Sequence, residues 1–217
     1  GLIATVDNDR RELVGGWVAI SGGLITSVGA STDPRPEATE TVDLDGALVT
    51  PGLINTHHHR FQNLTRAYKP MTSAPLFGWL QTLYPLWAAL DEEAVHVAAW
   101  VGLAELALSG CTTSSDHHYL HPAHGGDLIS AEILAAQDLG MRFHPTHGSM
   151  SLSQKDGGLP PDHVVRDEDE IMASDDDAPR REPTPPSRRR QSSLVRIPAS
   201  KRRGGKRGKS KRARPGR

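Results

Sequence analysis

The sequence predicts an α/β protein: a few short strands first, then parallel strands alternating with helices, the opening units of a (β/α)8 barrel. Three observations carry this. Residues 1–50 hold short β-rich runs separated by turn residues, a small β-sandwich pattern. From Pro51 the pattern changes to strand, helix, strand, helix, strand, the order that builds a parallel sheet. Beyond Ser174 the composition turns to Arg, Lys, Pro, Gly and Ser, which build no core.

In the first segment, Leu2 to Val6 is one strand and Asp7-Asn-Asp a turn. Trp17 to Ser21 and Leu24 to Gly29 are two more strands, joined by Gly22-Gly23. Thr41 to Thr50 is a further β-rich run. In the second segment, Gly52 to His57 reads as a strand ending in polar residues. Leu90 to Ser109 reads as a helix capped by Asp91, with Glu92 and Glu93 at the positive end of its dipole and Gly110 beyond its end. Cys111 to Asp116 is a second strand, Leu128 to Leu139 a helix capped by Asp127 and stopped by Gly140, and Met141 to His147 a third strand. An eight-stranded barrel needs about 250 residues, so residues 51–174 hold three of its units.

The formal charge of −1 is a cancellation. Residues 1–174 carry 9 Lys/Arg against 22 Asp/Glu, whereas residues 175–217 carry 16 against 4. All 11 histidines lie between His57 and His163. The single cysteine, Cys111, excludes an internal disulfide and fits a reducing cytoplasm, its place in a strand suggesting packing. No run approaches the roughly 20 apolar residues of a membrane span. The start, Gly1-Leu-Ile-Ala-Thr, has no secretion-signal pattern and reads as the inside of a strand.

The chemistry concentrates in Pro51-Gly-Leu-Ile-Asn-Thr-His57-His58-His59. Side chains alternate along extended chain, so His57 and His59 point one way and His58 the other. Two imidazoles on one face can reach one cation, zinc or iron, although a catalytic zinc takes three protein ligands. Asp116, His117 and His118 are expected in a solvated polar loop after the second strand, with pocket lining or a direct ligand role the alternative. His144 and His147 are expected on opposite faces of the third, in structural hydrogen bonds, one of them reaching the mouth of a pocket being the alternative. Trp79, Tyr84 and Trp87 are expected in the core, a lid over a planar base being the alternative. His121 and His124 receive no role.

The segment His57-His-His-Arg-Phe-Gln-Asn-Leu-Thr-Arg66, with Leu76-Phe-Gly-Trp-Leu80, Gly110-Cys-Thr-Thr-Ser-Ser-Asp-His-His118, Gly148-Ser-Met-Ser151 and Asp156-Gly-Gly-Leu-Pro-Pro161, resembles the deaminase branch of the amidohydrolases. Within it the chain is most similar to 8-oxoguanine deaminases and hydroxyatrazine-type hydrolases, over residues 1–173. The resemblance implies a metal-dependent hydrolase barrel with one divalent metal, zinc or iron, held by His57 and His59 among others, and Gln62 hydrogen-bonding the base. It implies hydrolytic deamination of an oxidised purine (8-oxoguanine to urate and ammonia) or a similar triazine, in a cytoplasmic homo-oligomer. The further histidines, the proton-shuttling glutamate and the metal-bound aspartate of that family come from later strands, and His163 is the last histidine here. Little or no activity is therefore expected of the chain, and its catalytic residues stay unassigned.

The family pattern stops near residues 173–175, where a shifted reading frame in GC-rich DNA would give the composition that follows. Residues 175–217 are expected to be a disordered basic tail foreign to the family. The alternative reading is a non-enzymatic protein whose tail binds nucleic acid non-specifically.

Overall fold

The computed structural model describes residues 1–171 and the backbone of Ser192–Arg196. Two compact units divide at Pro51 and Gly52. The first comprises β1 (Leu2–Ala4), β2 (Glu12–Val14), β3 (Trp17–Ser21), β4 (Leu24–Gly29), β5 (Glu40–Asp43), β6 (Leu48–Val49) and a late strand, Ser192–Arg196. They form a sheet in the order β2-β1-β6 and a second in which Ser192–Arg196 lies between β3 and β5. Gly22 and Gly23 turn the chain from β3 to β4 with φ of 61° and 80°, a conformation that only glycine adopts twice in succession without strain. Ile3 and Val18, from different sheets, pack together with Leu13, Val28 and Val49. The two sheets thus share one apolar layer, the sandwich expected of this segment.

Two details differ from the sequence reading. Thr41 to Thr50 is not one strand, because Asp45 and Gly46 take positive φ and separate β5 from β6. Glu12–Val14, given no assignment, pairs antiparallel with β1.

The basic tail lies outside the described residues except for Ser192–Arg196. Those five pair antiparallel with β3 and parallel with β5, so there the expectation of disorder fails. Ser-Ser-Leu-Val-Arg is a β-prone run inside a region whose average composition hides it.

The second unit begins with β7 (Leu53–Asn55). A 3-10 helix, Arg60–Thr65, follows, then α1 (Leu76–Trp87), α2 (Glu92–Leu108), β8 (Cys111–His118), α3 (Leu128–Asp138) and β9 (Arg142–His147). The sheet is parallel throughout, in the order β7-β8-β9. Both helix caps form as read: Asp91 accepts the Ala94 N–H at 2.8 Å, and Asp127 accepts the Ser130 N–H at 2.9 Å. α1 was not anticipated, since it starts after Pro75 without a capping side chain and contains Pro85.

The core of this unit gathers Phe61, Leu83, Tyr84, Trp87, Val95, Leu120 and Leu128. Tyr84 and Trp87 are therefore packing residues, and Cys111 is buried as well. The helix α2 carries the site-bearing segment. A Cβ on Gly102 would come within 2.2 Å of the Asn63 amide, so any other residue here would displace the Asn63 side chain. Asn63 then donates to the Ala98 carbonyl at 3.1 Å.

Candidate metal site and its cavity

Past β7 the chain remains extended through the three histidines. The His57 and His59 rings are 5.1 Å apart, perpendicular, and both line a cavity of about 610 Å³. Its size is that of a small-molecule pocket. Gln62, Tyr68 and Trp79 line the same cavity, so the structure brings together His57, His59 and Gln62. Trp79 is the one of the three singled-out aromatics that faces it.

The His57–His59 segment is held by β8. The His117 N–H donates to the His58 carbonyl at 2.8 Å, a further link between the two chains past the end of β7. Nδ1 of His59 lies 2.7 Å from the His117 carbonyl and can only donate to it, which leaves Nε2 of His59 as the nitrogen with a lone pair. Burial lowers the pKa of His59 below the ordinary imidazole value, favouring the neutral form that ligates metals. The His117 ring stacks on His57 at 4.9 Å and lies 6.0 Å from His59, a three-histidine cluster. Its Nε2 meets the Thr56 carbonyl at 3.2 Å. Tyr119 presents its ring edge-on to His59 at 5.3 Å and its hydroxyl toward Gln62 and Tyr84.

The Asp116 to His118 segment is not a solvated loop. All three residues belong to β8, and Asp116 and His118 are 0% exposed. On their side of the strand lie Arg60 and Glu132, also fully buried. The Arg60 N–H donates to Asp116 Oδ1 at 2.8 Å, its guanidinium donates to Ser114 Oγ, and its Nε stands 3.6 Å from the same Asp116 oxygen. His118 has Nδ1 2.9 Å from Glu132 Oε1 and Nε2 2.8 Å from the Leu120 carbonyl. Burial, reinforced by Glu132, pushes the Asp116 carboxyl up to about 9. Burial and then Arg60 hold His58 down at about 4.

Asp116, His118 and Glu132 place ligand atoms within 4.8 Å of one another, a set able to hold an ion. Here Arg60 already supplies its positive charge, and both His118 nitrogens are committed. The sequence signal for this network was the alternation Ser114, Asp116, His118, masked by its polarity.

Of the other candidates, His144 is exposed and His147 packs at 4.4 Å against His121 beside a second cavity of about 100 Å³. Neither lines the larger cavity.

Residues 48–196 match a family model described as Amidohydrolase family, past the point near 173–175 where the sequence pattern was read as stopping. The 8-oxoguanine deaminase of Pseudomonas aeruginosa is 46% identical over 162 residues, 75% of this chain and 36% of that protein. Hydroxydechloroatrazine ethylaminohydrolase of Pseudomonas sp. (strain ADP) is 37% identical over 142 residues, 64% of this chain and 30% of that protein. A mutant atrazine chlorohydrolase of Arthrobacter aurescens, solved with zinc and atraton, superposes with a TM-score of 0.72 at 29% identity, covering 92% of this chain and 46% of that one. The chain thus spans about a third of the length of these curated relatives.

Proposed function

The chain belongs to the amidohydrolase family, and from that premise we propose that it carries the metal-binding edge of a hydrolytic deaminase. The substrate would be an oxidised purine, 8-oxoguanine foremost, or a similar amino-substituted heterocycle such as a hydroxytriazine. β7, β8 and β9 would be the first strands of the barrel. The observation that carries the reading is the convergence of His57, His59 and Gln62 on one cavity. Support comes from the relatives that are 46% and 37% identical, whose names specify deamination and aminohydrolysis of such rings.

The donor set fits a borderline divalent ion: two imidazoles, one with its Nδ1 tied back so that Nε2 is available. His57 and His59 would hold one ion, zinc in preference to iron. When bound, it supplies Lewis-acid activation of water. Gln62 would hydrogen-bond the edge of the heterocycle, while Trp79 and Tyr68 flank its plane. No aspartate or glutamate lines the cavity among the described residues, so none is placed to carry a proton to departing ammonia. The chain by itself should therefore turn over little or no 8-oxoguanine.

Equilibrium dialysis of the full chain against zinc, with ammonia release measured after adding 8-oxoguanine, tests the reading. One zinc lost in both His57→Ala and His59→Ala, with turnover near background, is the expected result. Zinc binding indifferent to both substitutions refutes the site. Turnover like that of a full-length relative refutes the missing proton carrier.

A further inference from the structure

We propose that Asp116 is a positioning residue for the metal-binding pair. With its neighbour His117 it holds three consecutive residues, His58 to Arg60, on the backbone path that turns His57 and His59 to the same cavity. The inference rests on the reading of those two histidines as the metal-binding pair.

Three contacts make the clamp, and each falls on a successive residue. The His58 carbonyl accepts the His117 N–H at 2.8 Å. The His59 ring donates from Nδ1 to the His117 carbonyl at 2.7 Å. The Arg60 N–H donates to Asp116 Oδ1 at 2.8 Å. Two adjacent β8 residues thereby fix what lies before, on and after the second ligand. The first two contacts use backbone groups that any residue at 117 provides, but the third needs a side-chain acceptor of Asp116's length.

The segment also wraps around that oxygen. Arg60 Nε lies 3.6 Å from it and His58 Nδ1 4.0 Å. His58 thus turns its Nδ1 toward the carboxyl while still lining the cavity with His57 and His59. Without the acceptor, the Arg60 N–H would be a buried donor with no partner, which costs roughly 1–3 kcal/mol and favours a different turn.

The network beneath Asp116 explains how a carboxyl can sit there. The Arg60 guanidinium stands 3.6 Å from it, His118 donates to Glu132, and all four side chains are at 0% exposure. A cation at Asp116, His118 and Glu132 would have to displace the His118 hydrogen bonds and meet Arg60 at close range. The geometry therefore favours Asp116 as a support over Asp116 as a ligand.

The test uses the full chain, zinc as the probe, and two variants. Asp116→Asn keeps an acceptor at the same reach, whereas Asp116→Ser cannot reach the Arg60 N–H. Three readouts are taken: zinc affinity by chelator competition, the His59 tautomer by nitrogen-15 NMR, and exchange of the Arg60 amide. The expected result is a Ser variant with zinc affinity reduced on the order of 10- to 100-fold, as for other groups that orient a ligand. His59 then loses its single Nδ1–H tautomer, and the Asn variant stays within about threefold of the parent.

A folded Ser variant unchanged in all three readouts overturns the proposal. So does an Asn variant that loses zinc as the Ser variant does, or a second bound zinc removed by Glu132→Gln. Should the Ser variant fail to fold, the parent and Asn variant decide: an Arg60 amide exchanging in either as fast as an exposed loop amide overturns it, and slow exchange in both supports it. If the parent binds no zinc, the metal reading fails by itself, and the tautomer and amide exchange still decide whether the clamp exists.

Discussion

The two faces of β8 share one strand yet obey different rules. On one face Ser114, Asp116 and His118 are sealed, each at most 1% exposed, against Arg60 and Glu132. On the other, His117 joins His57 and His59 beside an open cavity. The sealed face crowds charged groups together out of water, leaving Arg60 Nε and Nη1, Asp116 Oδ2 and Glu132 Oε2 buried without a hydrogen-bond partner, and the open face leaves ring nitrogens exposed to the cavity. A polar run is thus no guide to exposure; whether its partners close around it decides.

The sharpest way to break the sealed face is to remove its cation. Arg60→Leu leaves Asp116 and Glu132 facing each other without the guanidinium, and breaking a buried pair by deleting one partner costs about 3–5 kcal/mol. Urea unfolding of the second unit, followed by Trp87 fluorescence, measures it. A loss under 1 kcal/mol would mean the network contributes little.

Next in size is Gly102→Ala. The new methyl meets the Asn63 amide at 2.2 Å and Arg60 Nη1 at 3.2 Å. Overpacking of this kind costs ~1–3 kcal/mol, and the Asn63 bond to Ala98 should be lost. Thermal denaturation reads the cost, and it should exceed that of Gly78→Ala, where the closest atom is 3.7 Å away.

Buried titratable groups of this unit respond to pH with opposite signs. Asp116 has a folded pKa near 9, above its ordinary 3.8. The folded chain keeps a proton that the unfolded chain gives up, so this contribution is complete below 3.8 and is lost as pH rises toward 9. His58 and His121, held down to about 4 and 3, destabilise the fold as pH falls below 6.5. Between pH 7 and 9 those histidines are silent, and Asp116, facing Glu132, Arg60, His118 and His58, should make stability fall by at most ~1.4 kcal/mol per pH unit. Asp116→Asn should flatten that decline; a decline of the same slope in the variant would assign it to another group.

What the sequence disclosed follows the same division. α2 and α3 were legible to within two residues because apolar spacing, an aspartate cap and a terminal glycine agree in each. That His57 and His59 share a cavity was expected from alternation and the family resemblance, but alternation did not foresee that His58 lines it too. Arg60, Asp116 and Glu132 were not legible, since their burial depends on partners up to 72 positions apart in the chain, and no local pattern announces such closure. Asp116-His-His118 looked like a loop because hydrophilicity was read where alternation should have been. α1 lacks a cap and holds a proline, and Ser192–Arg196 is a short β-prone run in a tail whose composition argues for none.

A smaller effect probes the local signals that did read correctly. Asp91→Ala removes the acceptor for the Ala94 N–H and should cost about 1 kcal/mol, seen as a lower urea midpoint with an unchanged slope. A loss several times larger would show that Asp91 does more than cap α2.

The smallest stability change should come from the open face, and it closes the comparison. His57 is exposed, its contacts are ring edges and faces of His59 and His117, and it makes no hydrogen bond among those described. Truncating it to alanine in the metal-free chain should alter unfolding free energy by no more than about 0.5 kcal/mol, the usual range for a surface position. The same substitution should abolish stoichiometric zinc binding. A His57→Ala variant destabilised as much as Arg60→Leu would mean that the open face is structural too, and the division between the two sides of β8 would not hold.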